Sequence, residues 1–138
     1  MTSSLRFVFD TNTIVSALLL PDSKPRQALD RAQDLGKILI SMPALLELNE
    51  VITRSKFDKY VSEEKRKEFL AALVKQAEFL DITEQVTDCR DAKDNKFLEL
   101  AVCGGAVCVI SGDADLLVLH PFRDISILQA GDFLKQFK

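Results

Sequence analysis

The chain has 138 residues, 47% of them hydrophobic and 28% charged, which suits one globular domain spanning residues 1–138 with a substantial core. No apolar run approaches the ~20 residues a membrane span needs, and the opening residues lack a charged leader with an apolar core, so a cytoplasmic protein is expected. The net charge of −3 and the single histidine, His120, exclude a broadly basic nucleic-acid binder and the common zinc arrangements built from several His and Cys ligands.

Residues 5–9, Leu-Arg-Phe-Val-Phe, form the first expected strand, ending at Asp10. A short helix is expected over residues 13–20, stopped by Pro21, and a second over residues 25–35, stopped by Gly36. Residues 37–41 make the next strand, and Pro43 opens a helix carrying Leu45, Leu46, Leu48, Val51 and Ile52. Ser62 starts a long helix with Phe69, Leu70, Leu73, Val74, Ala77 and Leu80 at a 3.6 period. Its Lys65-Arg66-Lys67 run, bracketed by Glu63, Glu64 and Glu68, reads as a solvated face.

A weak strand is expected at residues 80–83 and a helix at residues 91–102, ended by Gly104-Gly105. Strands at residues 106–110 and 125–128 and a closing helix at residues 130–137 complete the chain. Alternating strands and helices point to an α/β fold around a parallel sheet. Cys89, Cys103 and Cys108 are odd in number and lack CxxC spacing, so three reduced cysteines are expected.

Parallel strands with right-handed crossovers bring the loops that follow them to one edge of the sheet. Asp10 follows the first buried strand, and Asp113, in Ser111-Gly112-Asp113-Ala114-Asp115, follows the fourth. Glu47 lies on the helix after the second strand, with Glu50 one turn on, and Asp91 and Asp94 open the helix before the fourth. Asp91 equally suits an N-cap, and Glu50 and Asp115 equally suit solvated surface charges. Asp10 is harder to explain as a purely structural acid, because a carboxylate crowded at a strand end needs a partner to offset desolvation.

If Asp10, Glu47, Asp94 and Asp113 converge, with Asp115 beside them, their repulsion calls for a cation. Mg²⁺ or Mn²⁺ suits an all-oxygen donor set without histidine. Thr11, Asn12 and Ser111 are short polar side chains beside the acids, fit to hydrogen-bond them or to position a water.

With those residues in view, the chain resembles the PIN-domain family, in particular its toxin components of bacterial toxin–antitoxin pairs. The resemblance lies in Phe7-Val8-Phe9-Asp10-Thr11-Asn12, in Ser41 through Glu47-Leu48 and on to Lys56-Phe57, and in Asp91 through Ala101 followed by Val109 through Asp115. It implies a three-layer α/β/α fold with about five parallel strands, and Asp10, Glu47, Asp94 and Asp113 as the four catalytic acids. It further implies a Mg²⁺- or Mn²⁺-dependent endoribonuclease, an antitoxin partner and a homodimer.

Lys24, Arg26, Arg54, Lys56, Arg90, Lys93 and Lys96 are the basic residues available to RNA, with Arg90, Lys93 and Lys96 nearest Asp94; a solvated helix face explains them equally well. Two other classes compete. A haloacid-dehalogenase-like phosphatase also opens with a strand and an aspartate, but needs an acid two residues on, where this chain has Asn12. A PIN-like module that binds RNA or protein without catalysis is the second.

Overall fold

The computed structural model describes residues 5–138. Strand β1 spans Leu5–Phe9, followed by helices α1 (Thr11–Leu19) and α2 (Lys24–Leu35), then β2 (Gly36–Ile40) and α3 (Met42–Ile52). After a 3₁₀ turn at Ser55–Phe57 come α4 (Glu63–Gln76) and β3 (Glu78–Phe79). A second 3₁₀ turn, Ala92–Asp94, runs into α5 (Asn95–Gly104), and β4 (Cys108–Ile110), α6 (Ala114–Leu117), β5 (Ser126–Leu128) and α7 (Ala130–Gln136) finish the chain.

The helix starts have local causes. Ser23, Ser41 and Ser62 each accept a backbone N–H three residues on, capping α2, α3 and α4. Pro25 and Pro43 sit in the first turns of α2 and α3, where a missing N–H costs nothing.

All five strands are parallel, in the order β3-β2-β1-β4-β5. Alternation along the strands divides the core between the two faces of the sheet. Phe7, Phe9, Ile38, Ile40 and Ile110 pack with Ile14, Leu18, Leu29, Leu48, Leu73 and Phe133 from the helices of one layer. Val8, Leu39 and Val109 pack with Phe97, Leu98, Leu100, Ala101 and Leu116 from α5 and α6 on the other. This is the expected three-layer α/β/α arrangement. Among the described residues no helix is long and apolar enough to cross a membrane. All three cysteines are free.

Several elements differ from expectation. Helix α1 starts two residues early because Asp10 itself caps it, accepting the Thr13 N–H at 2.9 Å. The weak strand is β3 at Glu78–Phe79, extended only by the Leu80 N–H bonding Ile40 O at 2.9 Å. The single helix expected over residues 91–102 is a 3₁₀ turn followed by α5. Helix α6 and the turn at Ser55–Phe57 were not expected, being too short to carry a periodic pattern.

Gly36 stops α2 as expected, its N–H bonding Ala32 O, but it does so extended, with φ 179°, as the first residue of β2. A Cβ on it would fall 1.9 Å from Leu5 O of its neighbour β1. Arg66 is not solvated but wholly buried. Its guanidinium donates to the carbonyls of Ile52 (2.6 Å), Val61 and Arg54 (3.4 Å), and to Asp58 Oδ1 (2.9 Å), tying the end of α3 and the turn after it onto α4.

Candidate functional site

β1 and β4 are adjacent, and their connections leave in opposite directions across the sheet, which makes their carboxyl ends the switch point where such sheets bind ligands. Phe9 is in register with Ile110, and the Asp10 N–H bonds Ile110 O at 3.2 Å, so the residues that follow each strand meet. Asp10 is buried. Its Oδ1 accepts the Thr13 N–H and its Oδ2 accepts the Ser111 hydroxyl. Ser111 Oγ in turn accepts the Asp113 N–H at 2.9 Å, and Asp113 Oδ1 accepts the Asp115 N–H at 2.8 Å, capping α6.

Glu47 reaches the same place from α3. Its Oε1 accepts the Thr11 hydroxyl and its Oε2 accepts Lys96 Nζ at 2.8 Å. Asp91 Oδ1 accepts the Lys93 N–H at 3.1 Å and caps the 3₁₀ turn, as its N-cap reading expects. That leaves Asp94, at the N-cap position of α5, without a capping bond of its own. Its Oδ2 is buried and has no hydrogen-bond partner.

A cleft of about 360 Å³ is lined by Asp10, Glu47, Glu50, Asp91, Asp94 and Asp113, against two cations, Arg54 and Lys93. A second cleft, of about 500 Å³, shares Asp10, Asn12 and Asp113 with the first and continues to Lys24 and Gly131. Asn12 is exposed on the wall of both. Asp115 lines neither. Glu50 is exposed and pairs with Arg54 at 2.8 Å. Arg90 and Lys93 are exposed, whereas Lys96 is spent on Glu47 and is no free contact for a phosphate. Lys56 lies over the Phe57 ring and Arg26 pairs with Asp30.

The crowding shows in the acids' proton affinities. Burial, the adjoining Asp113 carboxyl and the charges of Asp91 and Asp10 push Asp94 up to about 7. Burial also raises Asp10, although hydrogen bonds from Ser111 and Thr13 work the other way. Glu47 behaves differently: burial opposes its charge, but the bonds from Lys96 and Thr11 prevail and hold it below the usual carboxylate range.

Among the described residues no three His, Cys, Asp or Glu side chains are arranged to hold a metal ion as they stand. The chemistry nevertheless fits a hard divalent cation. The donors are carboxylates alone, the lining is strongly negative, and Asp94 Oδ2 is a buried acceptor with no donor.

A family model described as PIN domain matches residues 6–115. The chain belongs to the PIN-domain family. An uncharacterised protein of Methanocaldococcus jannaschii is 31% identical over 118 residues, covering 84% of this PIN domain chain and 76% of that protein. Among solved structures, this PIN domain is similar to VapBC2 from Rickettsia felis bound to a DNA fragment from their promoter, with TM-score 0.56 and 16% identity over 91% of this chain and 98% of that one. It is also similar to DNA-bound VapBC from Salmonella typhimurium, with TM-score 0.61 and 18% identity over 91% and 98% of the two chains. A Pyrobaculum aerophilum protein aligns with TM-score 0.60 and 12% identity over 96% of this chain and 88% of its own. At such identities the likeness to these three is one of fold. Family membership puts the chain among proteins that are generally nucleases.

Lys96 is the site residue whose role sequence reasoning missed. Nothing local connects it to Glu47, 49 positions away; only the packing of α3 on α5 does.

Proposed function

We propose that this PIN domain is a divalent-metal-dependent endoribonuclease that hydrolyses RNA phosphodiester bonds, and that it is the toxin of a toxin–antitoxin pair. The observation that carries the reading is the meeting of Asp10, Asp94 and Asp113 at the β1–β4 switch point, with one Asp94 oxygen buried and unpartnered. These three carboxylates would hold Mg²⁺ or Mn²⁺, which would supply a more acidic bound water and charge stabilisation at phosphodiester oxygens.

The chain's own groups do the rest. Thr13 N–H and Ser111 Oγ fix both oxygens of Asp10, so that its carboxylate needs no reorganisation. Glu47, kept ionised by Lys96 and Thr11, stands on the cleft wall as half of an ion pair. Asn12 suits a hydrogen bond to the attacking water or to a phosphate oxygen, and Lys93, Arg90 and Lys24 suit flanking phosphates.

The fold likeness to DNA-bound VapBC structures supports an antitoxin partner, and a cytoplasmic homodimer belongs to the same proposal. A non-catalytic RNA-binding module is the second reading, favoured by the absence of a ready-made metal cage among the described residues. Phosphatase chemistry lacks its acid, because Asn12 stands in that position.

Purified protein incubated with single-stranded and structured RNA should cut it with Mg²⁺ or Mn²⁺ and not with EDTA. Asp10→Asn and Asp113→Asn should abolish cleavage. RNA bound but left intact in every divalent ion would establish the second reading instead, and equal cleavage by the variants would point to a contaminant.

A further inference from the structure

The acids of the cleft fall into two groups that differ in what neutralises them. Both acids that α3 contributes come with a cation: Glu50 accepts from Arg54 at 2.8 and 3.3 Å, and Glu47 accepts from Lys96 at 2.8 Å. The acids at the strand ends and at the start of α5 have hydrogen bonds from neutral groups, and Asp94 Oδ2 has none. The Glu47–Lys96 pair is the more enclosed of the two, with side chains 28% and 18% exposed.

The Lys96 ammonium is also the better fixed. It bonds Glu47 Oε2 and the Lys93 carbonyl, and it lies 5.2 Å from the centroid of the Phe97 ring. Glu47 Oε1 is occupied by the Thr11 hydroxyl. A divalent ion seeking Glu47 would therefore sit beside the Lys96 ammonium, on a carboxylate whose charge is already compensated.

We infer that Lys96 is a built-in cation that compensates the α3 side of this cleft, so that the site takes a single divalent ion on the Asp10–Asp94–Asp113 side, with Glu47 outside its coordination sphere. The inference rests on the metal-dependent reading above. Two-ion sites hold their metals ~3.5–4 Å apart and need uncompensated carboxylate charge for both. Here each α3 carboxylate is already paired with a cation, whereas Asp10, Asp94 and Asp113 are not. Lys96 is on this view a positioning residue: it sets how many ions bind, and touches neither substrate nor metal.

Calorimetric titration of the full chain with Mn²⁺, with bound ions also counted by electron paramagnetic resonance, tests this without any activity assay. The unaltered protein should bind one Mn²⁺ per chain. Lys96→Arg, which keeps the charge, should also bind one, and Lys96→Met should bind a second by releasing Glu47. Glu47→Gln should change the affinity by less than about threefold, whereas Asp94→Asn should weaken it by more than about tenfold. Two ions in the unaltered protein would overturn the inference and leave the nuclease reading standing. A tenfold loss in Glu47→Gln would overturn it as well, and does not depend on Lys96→Met folding. Failure to bind Mn²⁺ at millimolar concentration would overturn both.

Discussion

Ser111 donates its hydroxyl hydrogen to Asp10 Oδ2 across the boundary between β1 and β4, two residues 101 positions apart in the chain. The Ser111 oxygen also accepts the Asp113 N–H at 2.9 Å, so one side chain orders both strand-end aspartates. Ser111→Ala removes the donor to Asp10 and orphans the Asp113 amide. The cost should be about 1–3 kcal/mol in denaturant unfolding. Because this bond lowers the Asp10 pKa, its loss lets Asp10 take up a proton at higher pH. The acidic limb of the cleavage profile should move upward; an unshifted limb would mean that Ser111 does not act through Asp10.

Asp94 makes the metal-free protein less stable as pH rises. Its folded pKa is pushed up to about 7, against ~3.9 for an aspartate in the unfolded chain. Between those values the folded state keeps a proton that the unfolded state has lost, so unfolding releases it and stability falls with rising pH. Asp10, also raised, acts in the same direction. Glu47 is lowered, so its contribution is lost only in acid, below about pH 4–5, and does not cancel the trend. In EDTA the Tm should therefore drop between pH 5 and 7.5, the slope should shrink in Asp94→Asn, and Mn²⁺ should flatten it by binding the ionised carboxylates. A Tm that rises over this range would contradict the assigned burial of Asp94.

Asp10 and Asp113 were legible in the sequence because Asp10 directly follows an apolar run and Asp113 follows another after Ser111-Gly112, and a charge in such a position is conspicuous. Ser111 and Thr11 were legible as polar neighbours, though the sequence did not say that one serves Asp10 and the other Glu47. Lys96 looked like a phosphate contact because only its nearness to Asp94 is local information. Arg66 misled for a related reason. A run of mixed charges over residues 63–68 describes a solvated helix face equally well whether or not another segment lies across it. What covers Arg66 is the turn after α3, and nothing in the α4 sequence reports it.

Arg66 should accordingly be among the most sensitive charged residues in the protein. Arg66→Met leaves the carbonyls of Ile52 and Val61 without their donor, and Arg54 O with only the Phe57 N–H, and should cost roughly 2–5 kcal/mol. Arg66→Lys should recover little of that, because an ammonium cannot reproduce the guanidinium fork. Asp58→Ala is the control: its side chain is 60% exposed, so loss of that ion pair should cost less than about 1 kcal/mol. Similar losses at both positions, measured by urea unfolding, would mean that the ion pair rather than the carbonyl bonds holds the turn.

Two glycines separate steric demand from backbone conformation. At Gly105, which follows α5 with φ 65°, an added Cβ meets nothing within 4 Å. Gly105→Ala should therefore cost only the left-handed penalty, about 1–2 kcal/mol. Gly36 is extended, a conformation open to any residue, yet its Cβ would lie 1.9 Å from Leu5 O and 2.7 Å from Leu5 C, both backbone atoms. Leu5 and Gly36 are register partners in the β1–β2 pair, so relief requires the strands to part where their pairing begins. Gly36→Ala should thus be the worse substitution, costing upwards of about 4 kcal/mol or preventing folding. Hydrogen exchange should show the added opening concentrated in β1 and β2. If instead Gly105→Ala proves the more damaging, backbone conformation rather than the close approach of β1 sets what these positions tolerate.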